Sequence, residues 1–189
     1  MARTLLVSML NLLNWLSLLM LSLFTSCVVT DTIAFDAEEN FPASIAPTPA
    51  AQDANRSPGS IIFTDLDDAL GNPISLSVFV RDPNIRQTLS WRLFVNFRPD
   101  SPAALRNSGV LEPTADNATQ RLLELDVDYN DLDNANPGCH KIELLVSAGF
   151  SDRFPQREPV LEGDLAQTLW WVYATNSTTP TIDFRNCPP

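Results

Sequence analysis

The sequence predicts an all-β chain, a single antiparallel β-sandwich that follows an apolar leader and a low-complexity stretch. Three observations carry this. Segments after residue 70 alternate apolar and polar side chains with a period of two, the mark of half-buried strands. No long stretch repeats at the helical period. Turns rich in Pro, Asn, Asp and Gly separate the alternating runs, so about 130 residues of short strands fit one sandwich.

Taken in order, residues 1–26 read as a cleavable signal segment. Met1-Ala2-Arg3 is short and basic, Leu5 to Phe24 is almost wholly apolar, and Thr25-Ser26 are small. Asn11 and Asn14 interrupt the apolar run and weaken it as a permanent membrane span. Residues 27–59 are rich in Ala, Pro, Ser, Asp and Asn. Such a composition buries too little apolar surface to offset chain entropy, so a flexible tether is expected, with a reach of roughly 30 Å. The sandwich is expected over 60–189.

Within it, Ile74–Val80 alternates and stops at Arg81-Asp82-Pro83-Asn84. Leu89, Trp91, Leu93, Val95 and Phe97 share one face of the next strand. Leu123, Leu125, Val127 and Tyr129 share a face opposite Glu124, Asp126 and Asp128. After the turn Asn134–Gly138 comes the strand Cys139–Ser147, and Gln167–Ala174 is read as a final edge strand.

Leu23-Phe24-Thr25-Ser26-Cys27 resembles the lipobox of bacterial lipoproteins, with Phe24 where Leu is usual. The resemblance implies a diacylglyceryl group on Cys27, cleavage before it, and attachment to a membrane through acyl chains, of which more than one is needed for stable anchoring. Val28 follows the Cys, which by the familiar sorting rule implies the outer membrane of the cell envelope. The strand order is similar to Ig-like and PKD-like sandwiches. Pro137-Gly138-Cys139-His140-Lys141 would stand at the Pro-Gly turn of those modules, and Trp91 would be the central packing Trp. Small lipoproteins of soil and predatory bacteria look alike in these respects. This fold hosts many unrelated roles.

Removing the leader leaves 23 acids against 11 bases, which argues against binding nucleic acid or an anionic lipid surface. Cys139 and Cys187 are the other two cysteines, and two in an exported chain read as one disulfide. Closing that loop contributes about 4 kcal/mol in the chain-entropy picture. A zinc site lacks ligands, because His140 is the only His.

Asp126-Val-Asp128-Tyr-Asn130-Asp131-Leu-Asp133 opens like a calcium loop. It then fails, with Asp131 where Gly is required and Pro137 where a bidentate Glu belongs. A looser site drawing on Asp65, Asp67 and Asp68 stays open, although a solvated strand face is preferred. His140 has no partner nucleophile in sequence and is expected at the surface or packed on a turn. No catalytic or phosphate-binding motif is present, so neither an enzyme nor a cofactor is expected. Trp170-Trp171 lies mid-strand, so one ring faces the core and the other outward. The leading expectation is a non-catalytic envelope lipoprotein with a binding or structural role toward an envelope protein. The alternative is a carbohydrate- or peptide-binding module that uses exposed aromatics of the last strand, with Trp170 and Trp171 as the candidate contacts. A calcium-dependent or carboxylate enzyme ranks last.

Overall fold

The computed structural model describes residues 41–65, 72–99, 104–116, 118–132, 138–153 and 155–175. The expected signal segment, Cys27 and Cys187 lie outside them. Two packed sheets form an all-β sandwich. The smaller has the order β1-β3-β6, from Ser44–Pro47, Ile74–Arg81 and Gln120–Val127. The larger has the order β2-β8-β7-β4-β5, from Ile61–Asp65, Ala166–Thr175, Gly138–Ser147, Leu89–Val95 and Leu105–Leu111. With β3, β4, β6, β7 and β8 as strands B, C, E, F and G, this is the Greek-key order of an Ig-like sandwich. β5 lies beside β4 as an added strand. One pair departs from the expected antiparallel pattern, since β2 runs parallel to β8.

The first correction concerns the tether. Residues 41–59 were expected to be flexible, yet β1 pairs with β3 from Ser44↔Arg81 to Pro47↔Val78. The short helix α1, Pro49–Asp53, follows at once. Thr48 caps it by accepting from the Ala51 N–H at 3.1 Å, and Pro49 opens it where no N–H is needed. Thr48 is buried against β3, its hydroxyl 2.6 Å from that of Ser77. Composition concealed these elements because an edge strand needs few large apolar residues. Gly59, at φ 81°, then turns the chain toward the other sheet. Its N–H donates to the Leu169 carbonyl at 2.7 Å, and the Trp171 N–H donates to Ser60, so β2 is led onto β8. That placement makes β8 an interior strand rather than the expected edge.

The core lies between the sheets. Leu76, Val78 and Val80 of β3 and Leu123, Leu125 and Val127 of β6 face Leu93, Ile142, Leu144, Trp170 and Val172. Burying side chains of this kind stabilises the fold by about 1.5–3 kcal/mol each before entropy is counted. The fully buried Trp is Trp170, not Trp91. Its indole N–H is satisfied by the Arg56 carbonyl at 2.8 Å. Trp91 is only half-buried, and it lies so close to β5 that a Cβ on Gly109 would stand 2.7 Å from its Cζ2.

Two further expectations change. Phe97 does not continue the apolar face of β4. Asn96 takes a left-handed φ of 50°, the alternation ends there, and Phe97 packs edge-on to Phe94, which points the other way. Tyr129 lies beyond β6 in a 3-10 turn, Tyr129–Asp131.

One end of the sandwich is closed by a buried ion pair. The Arg121 and Asp82 side chains are 2% and 1% exposed and 3.2 Å apart. Arg121 also donates to the Leu111 carbonyl at 3.0 Å, and Asp82 accepts from the Asn84 N–H at 2.8 Å. Burial raises the Asp82 carboxyl above its ordinary value, against the lowering pull of Asn84 and Arg121.

Candidate aromatic binding face

The period of two along β8 sends Trp170 and Val172 into the core and Trp171 and Tyr173 to the outer face of the larger sheet. β2 adds Ile61 and Phe63 to that face, in register with Trp171 and Tyr173 respectively. The Phe63 and Tyr173 ring centroids are 6.3 Å apart, with planes tilted by 53°. Phe63 is 51% exposed, while Trp171 and Tyr173 are half-buried. On the other side of β8, Lys141 stands opposite Trp171 and Cys139 opposite Tyr173. Lys141, the only Lys of the chain, pairs with Glu143 at 3.8 Å.

Beside Phe63 is a hollow of about 190 Å³, walled by Arg56, Ile62, Thr64, Asn72, Pro73 and Ile74. Drug-sized ligands occupy roughly 300–1,000 Å³, so the hollow suits one ring-sized group rather than a whole ligand. Arg56 is also a wall of a larger groove, about 450 Å³, between α1 and the outer face of β3 and β6. There Ser75, Ser77, Glu124 and Asp126 supply hydroxyls and carboxylates, and Ser75 donates to Asp126 at 2.7 Å. The arrangement offers aromatic faces for stacking, with a guanidinium and an amide at the β2 edge.

The other half of the same outer face is covered. Phe94, Leu145, Phe150 and Ala104 form a second apolar cluster, with Phe97, Leu105 and Leu165 against it. The connection between β7 and β8 lies over it. Arg157 stacks on Phe97 and Phe94, 4.1 and 4.9 Å from their centroids, and forks onto Glu143 at 3.1 and 3.4 Å. Arg92 lies 4.7 Å over Phe150 and donates to the Ser151 and Gln156 carbonyls. Asp164 ties the connection down by accepting from the Ser147 hydroxyl at 3.1 Å and the Ala148 N–H at 2.8 Å.

The predicted site residues fall out as follows. Alternation sends the two rings to opposite faces, and the structure makes Trp170 core and Trp171 outward. Cys139 is half-buried and disulfide-bonded, but Cys187 lies outside the described residues, so their pairing stays an expectation. His140 is not at the surface. It is 4% exposed, on the core face of β7. The Asn96 side chain fixes its tautomer. The amide oxygen accepts from the Lys141 N–H, so the amide nitrogen donates to Nδ1 at 2.9 Å and Nε2 carries the proton. Among the described residues no three His, Cys, Asp or Glu side chains gather as a metal site. Asp128 and Asp131 instead bond within the 3-10 turn, while Asp67, Asp68 and Asp133 lie outside the described residues. Sequence reading missed Phe63. The run Ile61-Ile62-Phe63-Thr64-Asp65 is β-prone and was the available signal, but five residues show too little alternation to orient a side chain.

No family model matches the chain, and no curated protein does. Among solved structures it is similar to an LPMO from Kitasatospora papulosa, at 12% identity and a TM-score of 0.32, covering 62% of this chain and 52% of that one. The chain therefore spans about half the length of that structure. It is similar, at 6% identity and a TM-score of 0.37, to a complex of zinc 2-glycoprotein and prolactin inducible protein from human seminal plasma, covering 74% of this chain and 99% of that one. A chitin binding domain from Burkholderia pseudomallei stands at 10% identity and a TM-score of 0.32, covering 61% and 56%. At these values the likenesses assign no activity. A catalytic domain of an LPMO from Listeria monocytogenes is also similar, at 15% identity and a TM-score of 0.31, covering 65% and 63%. The expectation of a non-enzyme, which rested on missing motifs, is withdrawn. Catalytic groups meet in space rather than in sequence, so missing motifs exclude nothing.

Proposed function

We propose that the chain is a carbohydrate-binding module of the cell envelope, held at the membrane by a lipid on Cys27 and taking glycan on the outer face of β2 and β8. The observation that carries this is the Phe63 ring, half exposed and in register with Tyr173. A solvated aromatic ring loses apolar surface to water-free contact with the C–H face of a sugar, while polar groups at the margin align its hydroxyls. Arg56 and Asn72, at the β2 edge, are such groups. A strongly acidic chain disfavours polyanionic partners, so the glycan is uncharged. The Cys139–Cys187 bridge is proposed to hold the C-terminal segment to β7.

The test is titration of the protein with soluble chitin and cellulose oligosaccharides, read by Trp fluorescence and calorimetry. A saturable change lost in Phe63→Ala supports the module. Flat titrations by both methods across neutral glycans would remove it. The anchor is tested separately, by mass spectrometry of the mature N-terminus with Cys27→Ser as control. An intact, unlipidated N-terminus would overturn it.

A further inference from the structure

Resting on that reading, we infer that the face takes a single soluble glycan chain rather than the surface of a crystalline polysaccharide. Two features of the site lead there independently. The first is ring orientation. Two planes inclined at 53° cannot both lie flat on one plane, so Phe63 and Tyr173 cannot stack together on a crystal face. The tilt is built into the sheet. β2 and β8 are neighbouring strands, each strand of a sheet is rotated about 20–25° from the next, and side-chain torsions add the remainder. A free chain twists about its glycosidic bonds and can present successive sugar faces to successive tilted rings. Chains locked in a crystal cannot.

The second feature is the hollow. It has about 190 Å³ and lies round the β2 edge from the Phe63 ring, on the side to which Ile62 and Thr64 point, with Arg56 and Asn72 among its walls. A sugar unit, or a substituent on it, must leave the plane of its neighbours to enter. An isolated chain can do so, whereas a chain packed among others would have to be pulled from its lattice. Arg56 lines both the hollow and the 450 Å³ groove, whose Ser75 and Ser77 lie on the outer face of the other sheet.

The experiment sets two ligand forms against each other with the purified full chain. Soluble chitin and cellulose oligosaccharides are titrated by calorimetry, and depletion from solution is measured on crystalline chitin and cellulose. Saturable binding of a soluble oligosaccharide is expected, with crystal-bound protein below about a tenth of the total. Phe63→Ala should weaken soluble binding at least about tenfold, equal to about 1.4 kcal/mol. Asn72→Ala should weaken it severalfold. Unchanged unfolding midpoints show that both variants fold. Retention on crystals that soluble oligosaccharide does not compete away would overturn the single-chain inference and leave the glycan reading standing. So would a Phe63→Ala loss with Asn72→Ala and Arg56→Ala both neutral, because the hollow would then be idle. Absence of binding in either form overturns both.

Discussion

Over β4 and β7 the outer face of the larger sheet carries Phe94, Leu145 and Phe150, and residues 148–165 fold back across it. Over β2 and β8 the same face carries Ile61, Phe63, Trp171 and Tyr173, and Phe63 is half exposed. Both halves display aromatics on one continuous sheet, so the difference is not one of side-chain type. It is one of cover. The covered half holds its lid by charge as well as by apolar contact, with Arg157 and Arg92 laid over rings and Glu143 and Asp164 gripping the connection. The β2–β8 half has a half-exposed ring, Phe63, with Arg56 and Asn72 at the strand edge. Aromatic surface closed by the chain's own connection contributes stability, and aromatic surface in contact with solvent is available to a partner.

The largest break in this comparison should come from the covered half. Phe94→Ala removes a fully buried ring from beneath Arg157 and should destabilise the fold by about 3–5 kcal/mol, read as a lower urea midpoint. Arg157→Ala should cost about 3 kcal/mol, softened by the remaining Gln167 and Lys141 contacts, because Glu143 loses its bidentate partner while 5% exposed. Its second effect sharpens the contrast. Hydrogen exchange should rise across residues 148–165 and leave β2 unchanged.

Phe63→Ala should do the reverse. Its ring is half solvated, so the unfolding free energy should change by about 1 kcal/mol or less, while affinity for a neutral oligosaccharide falls about tenfold. A large loss of stability there would make Phe63 a core residue and end the distinction. The smallest effect, outside both halves, is a pH slope at Asp82, superimposed on the general loss that Asp82→Asn causes by leaving Arg121 buried without its carboxylate. Its carboxyl is raised in the folded state by burial, so the fold binds that proton more tightly than the unfolded chain. The stabilisation is fully present below the unfolded value, about 3.9, and is lost as pH rises through the raised folded value. In Asp82→Asn this acid-favouring contribution is gone. As pH falls through the raised folded value toward the ordinary carboxylate value, the melting temperature of the variant should therefore fall more steeply than that of the parent chain.

Five strands were legible because their alternation is long enough to fix both period and face. β3, β4, β6, β7 and β8 run seven to ten residues each. β1 and β2 have four and five residues, too few for a period to show. β5 reads Leu-Arg-Asn-Ser-Gly-Val-Leu, where Gly109 signals a loop in sequence but is required in space by the Trp91 ring above it. Of the candidate site, only the opposite facing of Trp170 and Trp171 was legible from β8 alone. Its neighbours were not, because Phe63 reaches it by parallel pairing across more than a hundred residues of chain.

By itself the sequence determined what depends on neighbouring residues: the all-β class, the faces of the longer strands, the opposite facing of Trp170 and Trp171, and an acidic balance that disfavours anionic partners. Only the tertiary structure decided what depends on residues distant in the chain. It set β1 against β3, paired Arg121 with Asp82, buried His140 beneath Asn96, and brought Phe63 to Tyr173. A single strand carries its period in its own side chains. Which strand it lies beside, and whether its outer face is then covered, is set by the free energy of the whole packed arrangement, and no local pattern records it.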